Sequence, residues 1–551
     1  PDAQTVWQRW NAFSRVDRVS SSALRSAPGL SLSYPGDLPS QDALFVDGDD
    51  RTAVVGASDQ IDYAAYLPVA LPYQLRPGGR ALVLEPRGGL DLAIALSQGA
   101  AAVTAVESNR LLVEGTGSIY QDERLQVVIE AGRSYARRSD ETYDVVHLAL
   151  VGAYRPVTSG AYSLGERYDL TVEAFADYLA RLRPGGLLVV ERWLQLPPSE
   201  LLRAGATAVE ALRRRGVQNP GAQLAVLRDW QVGLILVKNG AFTAPEIEAI
   251  RRFSQARSLD LVALPGLAEA ETNQFNILDE PLYYRAFHQL LEEPRALFEQ
   301  HPYNVRPPTD DRPFFFHFFR WQQTRAILAQ LGKAWLPWGG SGYFVLVALL
   351  GVALLASGVL ILLPLAFARL EEPGPPGLRW RVLAYFGLLG LGFLFVEMPL
   401  MQRFILFLGQ PIYAFSAVLV ALLLFSGLGS LAAQRLSIRW TLPLLAAAIL
   451  AYPLLLPPLF RALLGAPLAI RLLVTGLVLA PLGLLMGTAF PGGLAWLRER
   501  APGWIPWAWA INGCASVLAS VLAAMLALSA GFSWVLVAAA LAYAGAWLAL
   551  R

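Results

Sequence analysis

The stretch RALVLEPRGGLDLAIALSQGAAAVTAVE, residues 80–107, decides the fold of the first part of this chain. The apolar run at 81–84 is typical of a buried parallel strand, and the turn at 85–89 leads into an apolar helix over 90–98. A second strand at 103–106 ends in Glu107. Strand, helix and strand in this order predict one βαβ unit.

The same stretch suggests a place for a nucleoside. A glycine turn lets a ligand approach the backbone at a helix N-terminus, and a carboxylate about 20 residues later can bind ribose hydroxyls. Glu107 stands at that position. A solvated carboxylate at the end of a strand is the plainer interpretation, and the residues alone leave both open.

On both sides of this unit, short apolar runs alternate with amphipathic segments through the first 335 residues. Further strands are predicted at 125–129, 143–150 and 186–190, the last after the turn RPGG at 183–186. This alternation predicts an α/β domain with a doubly wound, Rossmann-like sheet.

Beyond residue 340 the sequence becomes almost uninterruptedly apolar, so that hydrophobic residues make up 55% of the whole chain and charged residues only 16%. A membrane span needs about 20 apolar residues. Seven spans are predicted, at about 342–368, 382–408, 411–434, 440–460, 471–497, 506–529 and 532–550. The second part is therefore expected to be an all-α transmembrane domain in a lipid bilayer.

Composition excludes several classes of function. A net charge of +2 leaves no footprint of a nucleic-acid partner. The single Cys514 excludes disulfides within the chain and thiolate metal clusters. Because His288, His301 and His317 are widely scattered, no metal site is expected in this chain. The chain opens on Pro1 without a methionine, and we expect its N-terminus to be incomplete.

Aromatic residues connect the two parts. An aromatic run at 314–319, a predicted amphipathic helix at 321–333, and Trp335 and Trp338 together predict an interfacial collar over 314–340. More arginines fall on the side of the bundle away from the soluble domain than on the near side. The positive-inside rule then favours an outward-facing soluble domain.

Motifs along the chain resemble the membrane-fused bacterial branch of the spermidine synthase-like family, which has a class I methyltransferase-like fold. They are WNAFSRV at 10–16, VDG at 46–48, VESN at 106–109, GRS at 132–134, YDVV at 143–146, GAYSL at 160–164, TVEAF at 171–175, TDDRPFFF at 309–316 and WAWAING at 507–513. The resemblance implies a β-rich N-terminal region over 1–75, a Rossmann-like domain over 76–313, the collar over 314–340 and a transmembrane bundle over 341–551. It also implies a bacterial inner-membrane location, and adenosylmethionine or its decarboxylated form as the cofactor.

The chain departs from the family at two places. Glu85, Pro86 and Arg87 replace most of the glycine-rich turn after the first strand, and Asp91 falls where a final glycine is expected. After the fourth strand, the segment HLALVGAY at 147–154 has no carboxylate to hold an amine and help remove its proton. Aminopropyl transfer by the usual mechanism is therefore not expected.

A set of residues in and after the βαβ unit could bind an adenosyl cofactor: Glu85, Gly88, Gly89, Asp91, Glu107, Asn109, Gly132, Arg133 and Ser134. Each has a plainer interpretation. Asp91 is suited to the first turn of a helix, His147 to a hydrogen-bonded core position, and Arg133 with Ser134 to an ordinary turn. Residues 310–312 are expected to form a salt-bridged turn that anchors the domain.

Inside the membrane, Glu397 is the residue that stands out, because an ionisable group in hydrocarbon normally faces a partner or a cavity. A proton, cation or lipid-headgroup site with Gln402, Arg403 or Asn512 is one hypothesis, and a buried interhelical hydrogen bond is the other. A set of glycines predicts close helix packing: Gly387, Gly390, Gly392, Gly427 and Gly429.

These observations favour an atypical or catalytically silent spermidine synthase-like protein that works as a subunit of a membrane assembly, with other membrane proteins or further copies of itself. One alternative is a membrane-bound adenosylmethionine-dependent methyl- or aminopropyltransferase acting on a membrane-associated acceptor. A transporter or lipid-handling bundle with a regulatory soluble domain is the other.

Overall fold

The computed structural model describes residues 2–56, 61–152, 154, 161–324, 342–367 and 377–551. They divide into two compact units. The first holds the described residues up to 324 except 161–166, and the second contains the long apolar helices. Most of the predicted collar, from 325 to 340, lies outside the described residues. Within the described part of the collar, the chain forms a short 3-10 helix at Trp321–Gln323.

The described part of the first unit contains two β-sheets. A four-stranded antiparallel sheet has the order β1-β2-β3-β4, formed by β1 (Gln4–Trp10), β2 (Arg15–Ser20), β3 (Ala43–Val46) and β4 (Asp49–Ala53). An eight-stranded sheet is formed by β5 (Arg80–Leu84), β6 (Ala102–Glu107), β7 (Leu125–Ile129), β8 (Tyr143–Leu148), β9 (Leu182–Trp193), β10 (Leu224–Arg228), β11 (Val232–Lys238) and β12 (Asp260–Ala263).

The order of the large sheet is β12-β10-β11-β9-β8-β5-β6-β7. The strands β7, β6, β5, β8 and β9 are parallel, and β11, β10 and β12 extend the sheet with antiparallel pairings. The chain runs outward in one direction from β5 to β7 and then returns to β8 on the other side of β5. The carboxyl ends of β5 and β8 therefore flank the topological switch point, where open α/β sheets bind their ligands.

Helices cover both faces of this sheet, which explains why its central strands are apolar at successive positions rather than alternately. Leu82, Leu84, Val146 and Leu148 pack in one core, and Ala81, Val83 and Val145 pack in the other. The helices are α1 (Ala70–Leu75), α2 (Leu90–Ser97), α3 (Arg110–Thr116), α4 (Gly132–Arg138), α5 (Val172–Leu179), α6 (Glu200–Arg214), α7 (Ala244–Ala256), α8 (Leu282–Glu292) and α9 (Pro294–Gln300).

The predicted doubly wound Rossmann-like fold is thus confirmed, with a sheet of mixed parallel and antiparallel pairing. One local prediction was wrong. The segment 183–186 does not precede a strand, because β9 already begins at Leu182. Gly185 adopts a φ of 80° inside that strand, where the pairing register with β8 shifts. A left-handed residue is therefore absorbed as an irregularity within β9 rather than as a separate turn.

The second unit contains seven described helices that are long and apolar enough to cross a membrane, which agrees with the predicted number. The first begins as α10 (Gly342–Ala356), continues through a π-helical turn at Ser357–Leu362 and ends in α11 (Leu363–Phe367). The others are α12 (Leu378–Leu408), α13 (Pro411–Ala432), α14 (Ile438–Leu463), α15 (Leu468–Arg498), α16 (Ile505–Ala530) and α17 (Phe532–Leu550).

Close packing at glycine is observed where α13 crosses α15. A Cβ atom at Gly429 would clash with the carbonyl oxygen of Leu484, and one at Gly487 would clash with the carbonyl oxygen of Ser426. On α12, a Cβ at Gly390 would likewise clash with the carbonyl oxygen of Asn512. The prediction fails for Gly427, where nothing lies within 4 Å of an added Cβ.

We predict that Gly429→Ala and Gly487→Ala each destabilise the bundle by about 1–3 kcal/mol, because a rigid backbone carbonyl occupies the space that the new methyl group needs. Thermal unfolding of the full chain in detergent measures this effect. Gly427→Ala is the matched control and should leave the unfolding temperature unchanged. Equal effects of all three substitutions would contradict the packing at the α13–α15 crossing.

Candidate functional site

The candidate site lies at the carboxyl ends of β5, β8 and β9, beside the switch point of the large sheet. After β5 the chain makes the turn 85–89, in which Glu85 and Arg87 have φ values of 56° and 46°. Residues other than glycine rarely adopt this left-handed conformation. The backbone thus adopts a conformation suited to glycine at two positions that carry larger side chains.

Contacts on both sides hold this turn. The Arg87 guanidinium forms an ion pair with Asp50 near the start of β4, and the Arg87 carbonyl accepts hydrogen bonds from Thr116 Oγ1 at 3.0 Å and Tyr120 Oη at 2.8 Å. The following Gly88 lies directly beneath the end of β4, where an added Cβ would clash with the carbonyl oxygen of Ala53. The chain's own N-terminal region therefore covers Gly88.

Glu107 lies at the end of β6 with none of its surface exposed. Its Oε2 accepts a hydrogen bond from the Arg87 backbone N–H at 3.1 Å, and its Oε1 accepts one from the Asn109 N–H at 3.0 Å. Its carboxyl group is also hydrogen-bonded to Glu85. The position expected to bind ribose is thus occupied by the protein's own backbone and by a second carboxyl group.

Asn109, two residues after Glu107, forms further hydrogen bonds at the end of β6. Its side chain caps α3 by accepting from the Leu111 N–H. It also donates to Ser14 Oγ at 2.9 Å and accepts from Asn11 Nδ2 at 2.8 Å. Residues of the motif at 10–16 therefore contact the end of β6 and cover it.

The carboxyl groups of Glu85 and Glu107 are neighbours, and each affects the titration of the other. Burial, followed by the neighbouring charge of Glu107, raises the pKa of Glu85 well above its ordinary value, and burial also raises the pKa of Glu107. Ser108 Oγ donates a further hydrogen bond to Glu85 at 2.9 Å. A protonated Glu85 that donates to Glu107 satisfies both groups without a buried pair of like charges.

A second acidic cluster, which sequence reasoning missed, lies across the turn. Asp91 in the first turn of α2, His147 near the end of β8 and Glu191 near the end of β9 bring one ligand atom each within 4.8 Å of the others. Burial raises the pKa of Asp91 to about 6 and that of Glu191 to about 8, and it lowers the pKa of His147. Shifted pKa values in a cleft are typical of functional sites.

A cavity of about 70 Å³ adjoins this cluster. Its walls include Glu85, Asp91, Glu191 and Trp193, together with residues near 26–28, 51–53 and 67–69 of the N-terminal region. Sequence reasoning placed no carboxylate after the fourth strand, yet the fold supplies two from other elements. Only the pairing of β8 with both β5 and β9 could have indicated this, because the three residues are far apart in the sequence.

Arg133, Ser134 and Gly132 belong to α4 and lie in buried positions. The Arg133 guanidinium forms ion pairs with Asp177 at 2.9 Å and with Asp310 at 2.6 Å. Of the turn expected at 310–312, Asp310 thus forms a salt bridge with the buried Arg133. An added Cβ at Gly132 would come within 3.3 Å of Leu84, so this glycine allows α4 to pack against β5.

Among the described residues of the second unit, Arg403 and Asn512 each have a hydrogen-bond partner other than Glu397. Arg403 donates to Ser533 Oγ at 2.6 Å, and Asn512 donates to the carbonyl oxygen of Phe386 at 3.1 Å. Phe386 precedes Glu397 by roughly 16 Å along the axis of α12. Glu397 is buried, and Gln402 is half-buried on the same helix.

We predict that the stability of the Glu85→Gln protein relative to wild type increases as the pH rises from 5 to 8. The folded wild-type protein retains a proton on Glu85 that the unfolded chain releases above about pH 4.5, so its unfolding free energy falls with rising pH. The glutamine amide still donates to Glu107 but does not titrate. Unfolding curves recorded across this pH range measure the difference.

The control for this measurement is Glu141→Gln, which removes a carboxylate that is 43% exposed and paired with Arg80. It should leave the pH dependence of stability unchanged. If the wild-type and Glu85→Gln proteins show parallel pH dependence, Glu85 does not hold a proton in the folded state.

No family model matches this chain, and no curated protein matches it. Among solved structures, it is similar to a spermidine synthase in complex with the transition-state analogue AdoDATO, with 14% identity over 51% of this chain and 83% of that one and a TM-score of 0.29. A probable spermidine synthase from Corynebacterium glutamicum ATCC 13032 has 18% identity over 46% and 87%, with a TM-score of 0.30. Spermidine synthase from Thermotoga maritima has 14% identity over 51% and 84%, with a TM-score of 0.29.

Proposed function

We propose that this chain is an atypical spermidine synthase-like membrane protein that does not use an adenosyl cofactor in the usual way and that serves as a subunit of an assembly in the bacterial inner membrane. The observation that carries the first part is Glu107. This carboxylate has no exposed surface, and backbone N–H groups occupy both of its oxygens.

Ribose hydroxyls would have to displace protein contacts to reach Glu107. The Arg87 and Asn109 N–H groups would then lose their acceptor, and a buried donor without a partner costs about 1–3 kcal/mol. Gly88 in the turn is covered as well, because the Val55 N–H donates to its carbonyl at 2.9 Å and an added Cβ would clash with the carbonyl oxygen of Ala53. The glycine and the carboxylate at the positions that normally contact a nucleoside are thus both covered by the chain itself.

The proposed role in an assembly is supported by the edge of the small sheet. β1 pairs with β2 and lies at the sheet's edge, and six of its seven residues are exposed. Val6 is 55% and Trp10 68% exposed. An exposed edge strand with apolar side chains is a template for pairing with another chain, so we place the contact with a neighbouring subunit there.

A second candidate function is an adenosylmethionine-dependent transferase. It is favoured by Asp91 and Glu191, which face a cavity at the switch point and have the raised pKa values of candidate acid–base groups. This candidate requires the contacts around Glu107 to open before a nucleoside can bind. The two candidates therefore differ in whether adenosyl compounds bind at all.

We predict that the full chain in detergent gives no saturable binding isotherm with adenosylmethionine, decarboxylated adenosylmethionine or methylthioadenosine up to millimolar concentrations, because Glu107 and Gly88 are covered. Isothermal titration calorimetry is the measurement, with Glu107→Gln as the matched variant. Saturable binding that Glu107→Gln abolishes would refute the proposal and favour the transferase.

We predict that the protein extracted in mild detergent has a mass above that of one 59.9 kDa chain, and that Trp10→Glu lowers this mass by introducing a charge at the edge of β1. Native mass spectrometry measures both and distinguishes a second copy from a different subunit. Ile277→Glu changes an apolar side chain that is 75% exposed elsewhere and is the control. A wild-type protein that is monomeric, or one that responds equally to both variants, would contradict the β1 contact.

A further inference from the structure

We propose that Asp91, His147 and Glu191 form a binding site for one divalent transition-metal ion, with Zn²⁺ and Mn²⁺ as the best-matched ions. This inference is independent of the proposed function, because it concerns the opposite side of the 85–89 turn from Glu107. The three residues come from three different elements, α2, β8 and β9, which the sheet brings together at its carboxyl edge.

The distances suit a shared ion. His147 Nε2 lies 3.6 Å from Glu191 Oε2, and all three candidate ligand atoms lie within 4.8 Å of one another. Ligand atoms about 2.0–2.2 Å from a tetrahedral Zn²⁺ are about 3.4 Å apart. The histidine–glutamate separation already matches this value, and a shift of roughly an ångström by the Asp91 carboxylate would complete the set.

His147 provides the observation that distinguishes this cluster from a mere group of acids. Its side chain is fully buried, and its Nε2 has no hydrogen-bond partner among the described residues although it lies beside the carboxylate of Glu191. A separation of 3.6 Å is too long for a hydrogen bond to Glu191. A metal ion between the two groups would satisfy both.

The other ring nitrogen is already positioned for that role. His147 Nδ1 lies 3.0 Å from the hydroxyl of Tyr73 on α1, which is itself buried. When Nδ1 carries the proton and donates it to this hydroxyl, Nε2 presents its lone pair to the carboxylates. Histidine ligands of metals are typically oriented by such a contact to the second nitrogen.

The chemistry of the set selects the class of ion. One imidazole nitrogen and two carboxylates suit Zn²⁺, Mn²⁺ or Fe²⁺, whereas Ca²⁺ and Mg²⁺ prefer oxygen ligands alone. The walls of the adjoining cavity carry Glu85, Asp91 and Glu191 against Arg51 and Arg87, and Arg87 is already paired with Asp50. The cavity has room for water at an open coordination position, as in metal sites that bind a further ligand.

The test uses the full chain in detergent, purified without a polyhistidine tag and stripped with a chelator. Zn²⁺ is added, the excess Zn²⁺ is removed, and the bound metal is measured by inductively coupled plasma mass spectrometry. We expect one Zn²⁺ per chain. Glu191→Gln and Asp91→Asn should each weaken binding at least as strongly as Tyr73→Phe, for which loss of the contact to Nδ1 predicts about a 10–100-fold effect.

Glu141→Gln is the matched control, because it makes the same exchange at a carboxylate that is 43% exposed and paired with Arg80. It should bind Zn²⁺ as wild type does, and the visible spectrum of bound Co²⁺ should change with Glu191→Gln but not with Glu141→Gln. Failure of the wild-type protein to bind stoichiometric metal would overturn the proposal. Binding that is unchanged in both Glu191→Gln and Tyr73→Phe would overturn it as well, because the metal would then lie elsewhere.

Discussion

The hydrogen-bonded pair of Glu85 and Glu107 joins the ends of the two strands on which the candidate site depends. Glu85 begins the turn after β5, and Glu107 ends β6, so their contact fixes the turn against the neighbouring strand. The pair, with the Arg87 N–H, holds two residues other than glycine in a left-handed conformation. Without these contacts, the steric cost at Glu85 and Arg87 would favour a different path for the chain.

The turn held by this pair divides the carboxyl edge of the sheet into two sides with different properties. On the β6 side, Glu107 and Asn109 are saturated by backbone and side-chain contacts that extend to the motif at 10–16. On the β8 side, Asp91 and Glu191 face a cavity. The same turn therefore covers one potential binding position and forms a wall of the other, so a fold usually associated with nucleosides can present a different kind of site.

Much of the fold could be predicted from the sequence because its signals are local. The βαβ unit, the apolar strands and the seven apolar helices are each contained in one short segment, and all were found near their predicted positions. The Asp91–His147–Glu191 cluster could not be predicted in this way, since it depends on which strands become neighbours. Arg133 illustrates the same limit, because its partners Asp177 and Asp310 come from distant segments and make it the centre of a buried ion-pair network.

The acidic edge of the sheet has an energetic cost that needs a physical explanation. Glu107 and Glu191 are almost fully buried, and Glu85 and Asp91 are partly buried beside them. Burial of carboxylates is unfavourable unless each gains a proton, a hydrogen bond or a positive partner. Glu85 and Glu107 meet this requirement with the hydrogen bond between them and with backbone donors. Glu191 meets it with a proton near neutral pH, because burial raises its pKa to about 8. The Nε2 atom of the buried His147 has no hydrogen-bond partner among the described residues, and a metal ion bound by the three groups would give it one.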